Sequence, residues 1–378
     1  MQTPGAKSRI SNPAKAVFDP DRALTLAKLF AFPRRSGSQG NERAAQQIQD
    51  ILGVSQIEDT VEPFRISRFP KLALQTVLLV EALLLLLRLN VPEQSWPLLL
   101  LLVYSTFLLT LSGLGHSGAD WFLSSDLDRN VITEPIGDGG TRILLIAHPD
   151  SKSQPLPIVA RMAAFFGLAL ALLICIFTLV TSQSNPVESA SISATVAGLT
   201  LSLGLVLQTY GNRSPGVLDN GSGVAVLLAL AERLKHLPLP GCTFKLLFSG
   251  AEEIGLQGAS RFVDNDRVRT ETIINIDMVG AGTRLWVYGA GRWQKAQVRG
   301  AAQRIGQPVV STWMPLGMLA ADPVPFFRAG RDALSLTMLS GVIRYLHTTH
   351  DGVELLDIEA FRKLSRLLGV FFEEVVEQ

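Results

Sequence analysis

The sequence predicts an α/β domain, a mixed and mostly parallel sheet with helices on both faces, interrupted by two transmembrane helical hairpins. Three observations carry that expectation. The polar parts of the chain alternate between strand-like and helix-like segments, four long apolar runs come in two pairs, and His, Asp and Glu recur where the strand-like segments end.

A chain of 378 residues has room for one large domain or two ordinary ones. The net charge of +1, with no dense basic run, gives no electrostatic grip on nucleic acid. Cys175 lies in an apolar run and Cys242 opens a strand-like segment, so a disulfide framework is not expected. Two thiols are also too few for a cysteine zinc site, so any metal must be held by His and carboxylates. The first 22 residues carry Lys7, Arg9 and Lys15 without an apolar core and do not form a secretory signal. The first twenty are expected to be poorly ordered or peripheral.

The apolar runs cover 72–87, 97–115, 162–181 and 190–208. A hydrocarbon core of ~30 Å needs about 20 helical residues, which suits the last three and leaves the first short unless Arg88 snorkels outward. The leucine run at 83–87 has no polar face, which argues for lipid rather than a soluble core. Short connections at 90–96, with Pro92 and Trp96, and at 182–189, with Asn185 and Pro186, imply two antiparallel hairpins. Each hairpin returns the chain to the side it left, so 1–71, 116–157 and 209–378 can fold together as one domain on one face. That divides the chain into a first domain segment (1–71), hairpin 1 (72–115), the segment with the first metal strand (116–157), hairpin 2 (158–208) and the rest of the domain (209–378). Glu81 lies inside the first run, where an acid is either functional or turned toward a neighbouring helix. Arg65, Arg68, Lys71, Arg161 and Arg213 flank the runs on the domain side, whereas the turns hold Arg88 against Glu93 and Glu188. The bias, with no signal before the first run, predicts a cytoplasmic domain and outward turns.

In the polar remainder, Ala44, Ala45, Ile48, Ile51 and Leu52 mark a helix over 41–52, with Gly37, Gly40 and Asn41 as turn and N-cap. Strands are expected at 130–133 and 142–147, then a helix at 222–235 with Val226, Leu227, Leu230 and Leu234 on its apolar face. Strands at 243–248, 272–276, 284–288, 309–313 and 333–339 alternate with helices at 256–263, 294–305 and 358–376. In such sheets the site lies beyond the carboxyl ends of the strands. His148 and Asp150, Glu252 and Glu253, Asp277, and the group His347, His350 and Asp351 all follow strands there, and Asp219 precedes the helix at 222–235. Alone, an Asp before a helix is ordinarily a cap, paired glutamates a solvated turn and a loop His a surface residue. Together at one sheet edge they offer the oxygen and nitrogen donors that divalent metals take.

The motifs His148-Pro149-Asp150, Asp219-Asn-Gly-Ser-Gly223, Gly250-Ala-Glu-Glu-Ile-Gly-Leu-Gln-Gly258, Asp277 and His347-Thr-Thr-His-Asp351 resemble the co-catalytic zinc aminopeptidases, which include leucyl aminopeptidases, glutamate carboxypeptidases and glutaminyl cyclases. The turn Arg35-Ser-Gly-Ser-Gln-Gly40 and Asn130-Val-Ile match the family too. The resemblance spans nearly all the polar sequence and none of the apolar runs. It implies a zinc aminopeptidase-like fold and two Zn2+ per chain, with Asp219 bridging, His148 and Asp277 on one ion and Glu253 and His347 on the other. It further implies Glu252 as general base, Asp150 behind the His148 imidazole, and a peptide substrate cleaved at its N-terminus beside the bilayer. Pro149 and Gly352 depart from common family residues without removing a ligand, and Pro323 alters a loop, 322–326, that resembles the family's substrate side. A non-catalytic membrane receptor or assembly protein would be expected to lose ligands, a one-zinc glutaminyl cyclase needs only Asp219, Glu253 and His347, and a transporter would need more than Glu81 within its spans.

Overall fold

The computed structural model describes residues 16–90, 123–180, 185–208, 211–265, 272–289, 291–312, 321–338 and 341–376. Eight strands form one sheet: β1 (Asp59–Ser67), β2 (Leu123–Thr133), β3 (Thr141–Ala147), β4 (Cys242–Phe248), β5 (Thr272–Ile276), β6 (Leu285–Gly289), β7 (Val309–Thr312) and β8 (Ala333–Met338). Their order is β1-β2-β4-β3-β5-β8-β6-β7. The central run β4-β3-β5-β8 is parallel, and antiparallel pairings set β2 against β4, β1 against β2 and β6 against β8.

The central strands are apolar on both faces, as parallel strands covered by helices must be. On β3, Ile143, Leu145 and Ala147 face one core with Ile48 of α2 (Gln39–Val54), Leu227 of α6 (Ser222–His236) and Phe361 of α10 (Ile358–Val376). Leu144 and Ile146 face the other, with Phe262 of α7 (Gln257–Asp264) and Phe326 of α9 (Pro323–Arg328). Helix α8 (Arg292–Arg304) joins the first core through Val298 and Ala301. Phe372 of α10 meets Phe244 of β4 edge to face, ring centroids 5.0 Å apart, a geometry that adds to the burial of both rings.

Several expectations are corrected. Residues 1–15 lie outside the described part, but Phe18 is buried, with its N–H donating to the Ser365 hydroxyl at 3.0 Å. A helix missed in the sequence, α1 (Pro20–Leu29), follows, capped by Asp19 with Pro20 in its first turn. The N-cap of α2 is Ser38, whose hydroxyl accepts from the Asn41 N–H at 3.3 Å; Asn41 itself is buried inside the first turn. Strand β1 carries Pro63, which hid it, and an edge strand tolerates a proline. Helix α9 was likewise obscured by Pro323 and Pro325.

The apolar runs form α3 (Phe69–Asn90), α4 (Ile158–Val180) and α5 (Asn185–Val206), packed together through Leu78, Leu85, Leu168, Leu172, Cys175, Ala194 and Leu205. The expected run at 97–115 and the turn residues 91–96 lie outside the described residues. Helix α5 starts at Asn185, so the expected turn at 182–189 shortens, Pro186 being accommodated in the first turn. Among the described residues two windows, Ile158–Cys175 and Ser189–Val206, are long and apolar enough to cross a membrane, and the apolar stretch of α3, Leu74–Leu87, is shorter. Glu81 is fully buried. Leu79, Leu83, Leu170, Leu173, Phe177, Ile192 and Leu203 are exposed on the outside of these helices.

Phe372→Ala should cost ~3–5 kcal/mol, the lost transfer energy plus a cavity against Phe244. The exposed Val54→Thr should stay within about 0.5 kcal/mol. Chemical denaturation of both variants checks the contrast.

Candidate metal centre

The parallel run β4-β3-β5-β8 brings four strand ends to one edge. His148 directly follows β3 and Asp277 directly follows β5; Glu252 and Glu253 lie four and five residues past Phe248, the last residue of β4. His347 lies in the loop after β8. Asp219 sits in the turn Val217–Gly221 that opens α6. The Asn220 amide ties that turn to the end of β5, donating to the Ile276 carbonyl at 2.9 Å and accepting from Gly223 N–H at 2.9 Å and Met278 N–H at 3.2 Å. A Cβ at Gly223 would stand 2.3 Å from the Ile276 carbonyl oxygen, so only glycine lets α6 start this close to the strand. Asn130 of β2 pins the Glu252–Glu253 loop at both ends, accepting from Gly250 N–H at 3.0 Å and donating to the Gly258 carbonyl at 2.9 Å.

Two triads result, His148–Asp219–Asp277 and Asp219–Glu253–His347, each with its donor atoms within 4.8 Å of one another. The Asp219 carboxylate is divided between them. Its Oδ1 lies 3.3 Å from His148 Nε2 and its Oδ2 lies 2.9 Å from His347 Nε2. Asp277 Oδ1 is 3.6 Å from His148 Nε2, and Glu253 Oε1 is 3.3 Å from His347 Nε2. These two oxygens are buried and make no hydrogen bond among the described residues. Buried carboxylate oxygens without donors, facing imidazole nitrogens, form a donor set that divalent ions fit. Glu252 Oε2 stands 3.9 Å from His148 Nε2, beside the triads and outside both. His350 is exposed, against Tyr345, and belongs to neither.

The charges are strongly coupled to burial. Burial works to raise Asp219, but hydrogen bonds from His148 and His347 hold it well below the usual carboxylate range. Burial lifts Glu252 well above that range, with Glu253, Asp322 and Asp277 adding to it against the pull of His148. Burial lowers the His148 imidazole, yet Glu252, Asp150, Asp219 and Asp277 together raise it well above its usual value.

A model of peptidase family M28 matches residues 130–371, which take in every one of these side chains. The chain belongs to peptidase family M28. Aminopeptidase YwaD of Bacillus subtilis is 32% identical over 180 residues, covering 44% of this chain and 39% of that protein, so the match spans about two fifths of the relative. The alkaline phosphatase isozyme conversion protein of Escherichia coli is 31% identical over 105 residues, 27% of this chain and 26% of that protein. Among solved structures, BSAP, a zinc aminopeptidase from Bacillus subtilis, superposes with a TM-score of 0.57 at 15% identity, covering 95% of both chains. Porphyromonas gingivalis glutaminyl cyclase does so with a TM-score of 0.56 at 16% identity, over 95% of this chain and 99% of that one. Identities this low show a shared fold.

Within this M28 site, Asp150 does more than its position in the motif implies. His148 Nδ1 faces the Asp150 backbone carbonyl at 3.1 Å, with the carboxylate Oδ1 at 3.5 Å. The carboxylate itself accepts from the Ser36 hydroxyl at 2.6 Å and from the N–H groups of Glu252 at 3.2 Å and Glu253 at 3.1 Å. Asp150 therefore shapes the Glu252–Glu253 turn directly. Asp351 acts alike on the Asp219 turn, accepting from Leu218 N–H at 2.7 Å and Asp219 N–H at 3.2 Å, and burial lifts it to about 7. Asp322, at the start of α9, is fully buried beside Ser249 and burial lifts it to about 7 as well. His347, Ala251 and Met278 all have φ between 53° and 61°, a left-handed conformation that non-glycine residues adopt at a cost. One is a candidate ligand and each of the others neighbours a site acid.

Arg34 carries no motif or periodic signal in the sequence. Its side chain is fully buried, and it donates to the carbonyls of Pro149 at 2.7 Å, Phe32 at 2.9 Å, Pro215 at 2.6 Å and Gly216 at 2.8 Å, and also to Phe30. It thereby clamps the His148 strand end to the Asp219 turn. Burial lowers its guanidinium to about 10 while Asp351, Asp150, Asp219 and Glu253 hold it charged. Arg34→Met would strand these carbonyls, each buried acceptor being worth ~1–3 kcal/mol, and the fold should lose at least about 3 kcal/mol. Arg34→Lys has too few donors and should lose much of the same. Denaturant midpoints of the metal-stripped variants measure both.

Proposed function

We propose that this M28 chain is a membrane-anchored, zinc-dependent aminopeptidase that removes N-terminal residues from peptides. One observation carries the reading: two buried triads share Asp219, with Glu252 placed alongside and outside both. His148 and Asp277 would hold one Zn2+ and Glu253 and His347 the other, with Asp219 common to both. Bound there, two such ions acidify a water and polarise the scissile carbonyl. The rest falls to the chain. Glu252, whose hold on a proton is strengthened chiefly by burial, would take the water's proton and return it to the leaving amine. Asp150 holds Glu252 and Glu253 by their backbone N–H groups, so the base and a ligand keep a fixed separation.

A one-zinc glutaminyl cyclase is the second reading, since Porphyromonas gingivalis glutaminyl cyclase shares the fold. His148 and Asp277, converging on the far oxygen of Asp219, favour two ions and hydrolysis. A non-catalytic membrane receptor or assembly protein of this fold would have no reason to keep Glu252 and both triads.

The membrane part of the reading rests on α4 and α5, on the exposed leucines and phenylalanines around them, and on the apolar residues of 97–115. An outward apolar surface this extensive suits a lipid bilayer. Under this reading the peptidase domain is assembled from 1–71, 116–157 and 209–378, with four spans in two hairpins and the domain on the cytoplasmic side.

Glu252→Gln should lower kcat on aminoacyl reporters by roughly 10²–10⁴-fold while leaving bound metal intact. Asp219→Asn should lose metal and activity together. Elemental analysis beside the assay separates the two, and a Glu252→Gln enzyme near wild-type kcat would refute the base.

Topology is tested by single cysteines at Ser95, Ser184 and Gln378, labelled with an impermeant thiol reagent on intact cells. The first two should react and the third should be protected; the reverse pattern would place the domain outside.

A further inference from the structure

The two triads differ in what stands behind them. Behind His148 is a backbone carbonyl, that of Asp150, 3.1 Å from Nδ1. A carbonyl only accepts, so Nδ1 donates to it, and Nε2 is the nitrogen that faces Asp219 and Asp277. A metal-bound imidazole donates that same outer hydrogen bond, so on this side it is already in place.

Behind His347 the order is reversed. The Arg161 guanidinium, on the first turn of α4, lies 2.7 Å from His347 Nδ1. Arginine has only donors, so the carbonyl that backs His148 is replaced here by a cation. Nε2 is the nitrogen directed at Asp219 Oδ2 and Glu253 Oε1. An ion entering here meets the charge of Arg161 directly behind its imidazole ligand. The other ligand of this half is also countered: the Lys152 ammonium pairs with Glu253 Oε2 and reaches its backbone carbonyl at 3.4 Å. Lys152 is only 14% exposed, so water screens it poorly. No Lys or Arg contact to His148 or Asp277 occurs among the described residues.

We propose that Lys152 and Arg161 make the two metal half-sites unequal: a divalent ion enters the His148–Asp219–Asp277 side first, and the second binds the Asp219–Glu253–His347 side more weakly, against these two resident cations. The proposal rests on the two-ion reading above. It also ties loading of the weaker half to the apolar helices. Arg161 is anchored between Ile158 and Met162, and these two pack on Leu218, Met278 and Leu346, the neighbours of Asp219, Asp277 and His347.

The test is a metal titration of the full-length, detergent-solubilised, chelator-stripped protein. Cobalt(II) is added, uptake is counted by equilibrium dialysis with elemental analysis, and the visible cobalt absorption is followed. Wild type should fill in two steps, the second at a free cobalt concentration at least about tenfold higher. Lys152→Met and Arg161→Gln should each move the second step toward the first and leave the first in place, and either variant suffices should the other misfold. Asp277→Asn should abolish the tight step and Glu253→Gln the weak one. Two ions taken up in a single step by wild type, or a second step unmoved by both charge-removing variants, would overturn the inequality and leave the two-ion reading standing. Uptake of no cobalt at all would overturn both.

Discussion

A buried carboxylate stays ionised only where hydrogen bonds or positive charge replace the water it has lost, and at this sheet edge that constraint falls on several acids at once. Asp219 meets it with two imidazoles. Asp150 accepts from a hydroxyl and two backbone N–H groups, and Asp351 from two more, though burial still lifts Asp351 to about 7. Arg34 adds a full positive charge in their midst while spending its donors on carbonyls. Glu253 Oε1 and Asp277 Oδ1, one on each side of Asp219, are left uncovered, as are Asp322 Oδ1 and Asp128 Oδ2 farther from it. Each triad thus holds one such oxygen, and the loops around them are held in the conformations that keep it there.

Those conformations are costly locally and are maintained by the scaffold. Left-handed backbone at Ala251, Met278 and His347 persists because each flanking segment is tied elsewhere. Asn130 closes the Glu252–Glu253 loop across β2 and β4, Asn220 locks the Asp219 turn onto β5, and Arg34 joins that turn to the end of β3. The rigid parallel centre of the sheet, apolar on both faces, supplies the fixed points to which these polar ties attach.

The apolar helices are not a remote appendage. Helix α4 leaves the domain a few residues after Asp150, and its first turn packs on the residues next to three candidate ligands. Arg161 on that turn contacts His347 directly.

By itself the sequence determined the alternation of strands and helices through 130–376, the strand ends at which His148, Asp277 and the glutamate pair fall, and the apolar runs. Each of these is written in short-range periodicity or in spacing along one element, and physics acts on them locally. It did not distinguish Arg34 from Arg35: the two are neighbours of identical chemistry, yet the first is fully buried and the second exposed. Burial is settled by which distant segments pack on a residue, here 149–151 and 215–216. For the same reason α1 and the proline-bearing β1 and α9 were hidden, since they owe their form to partners far along the chain rather than to a strong local pattern. The placement of Lys152 on Glu253 and of Arg161 on His347 joins residues separated by 101 and 186 positions. Only the folded chain could decide which cations would stand beside which ligands.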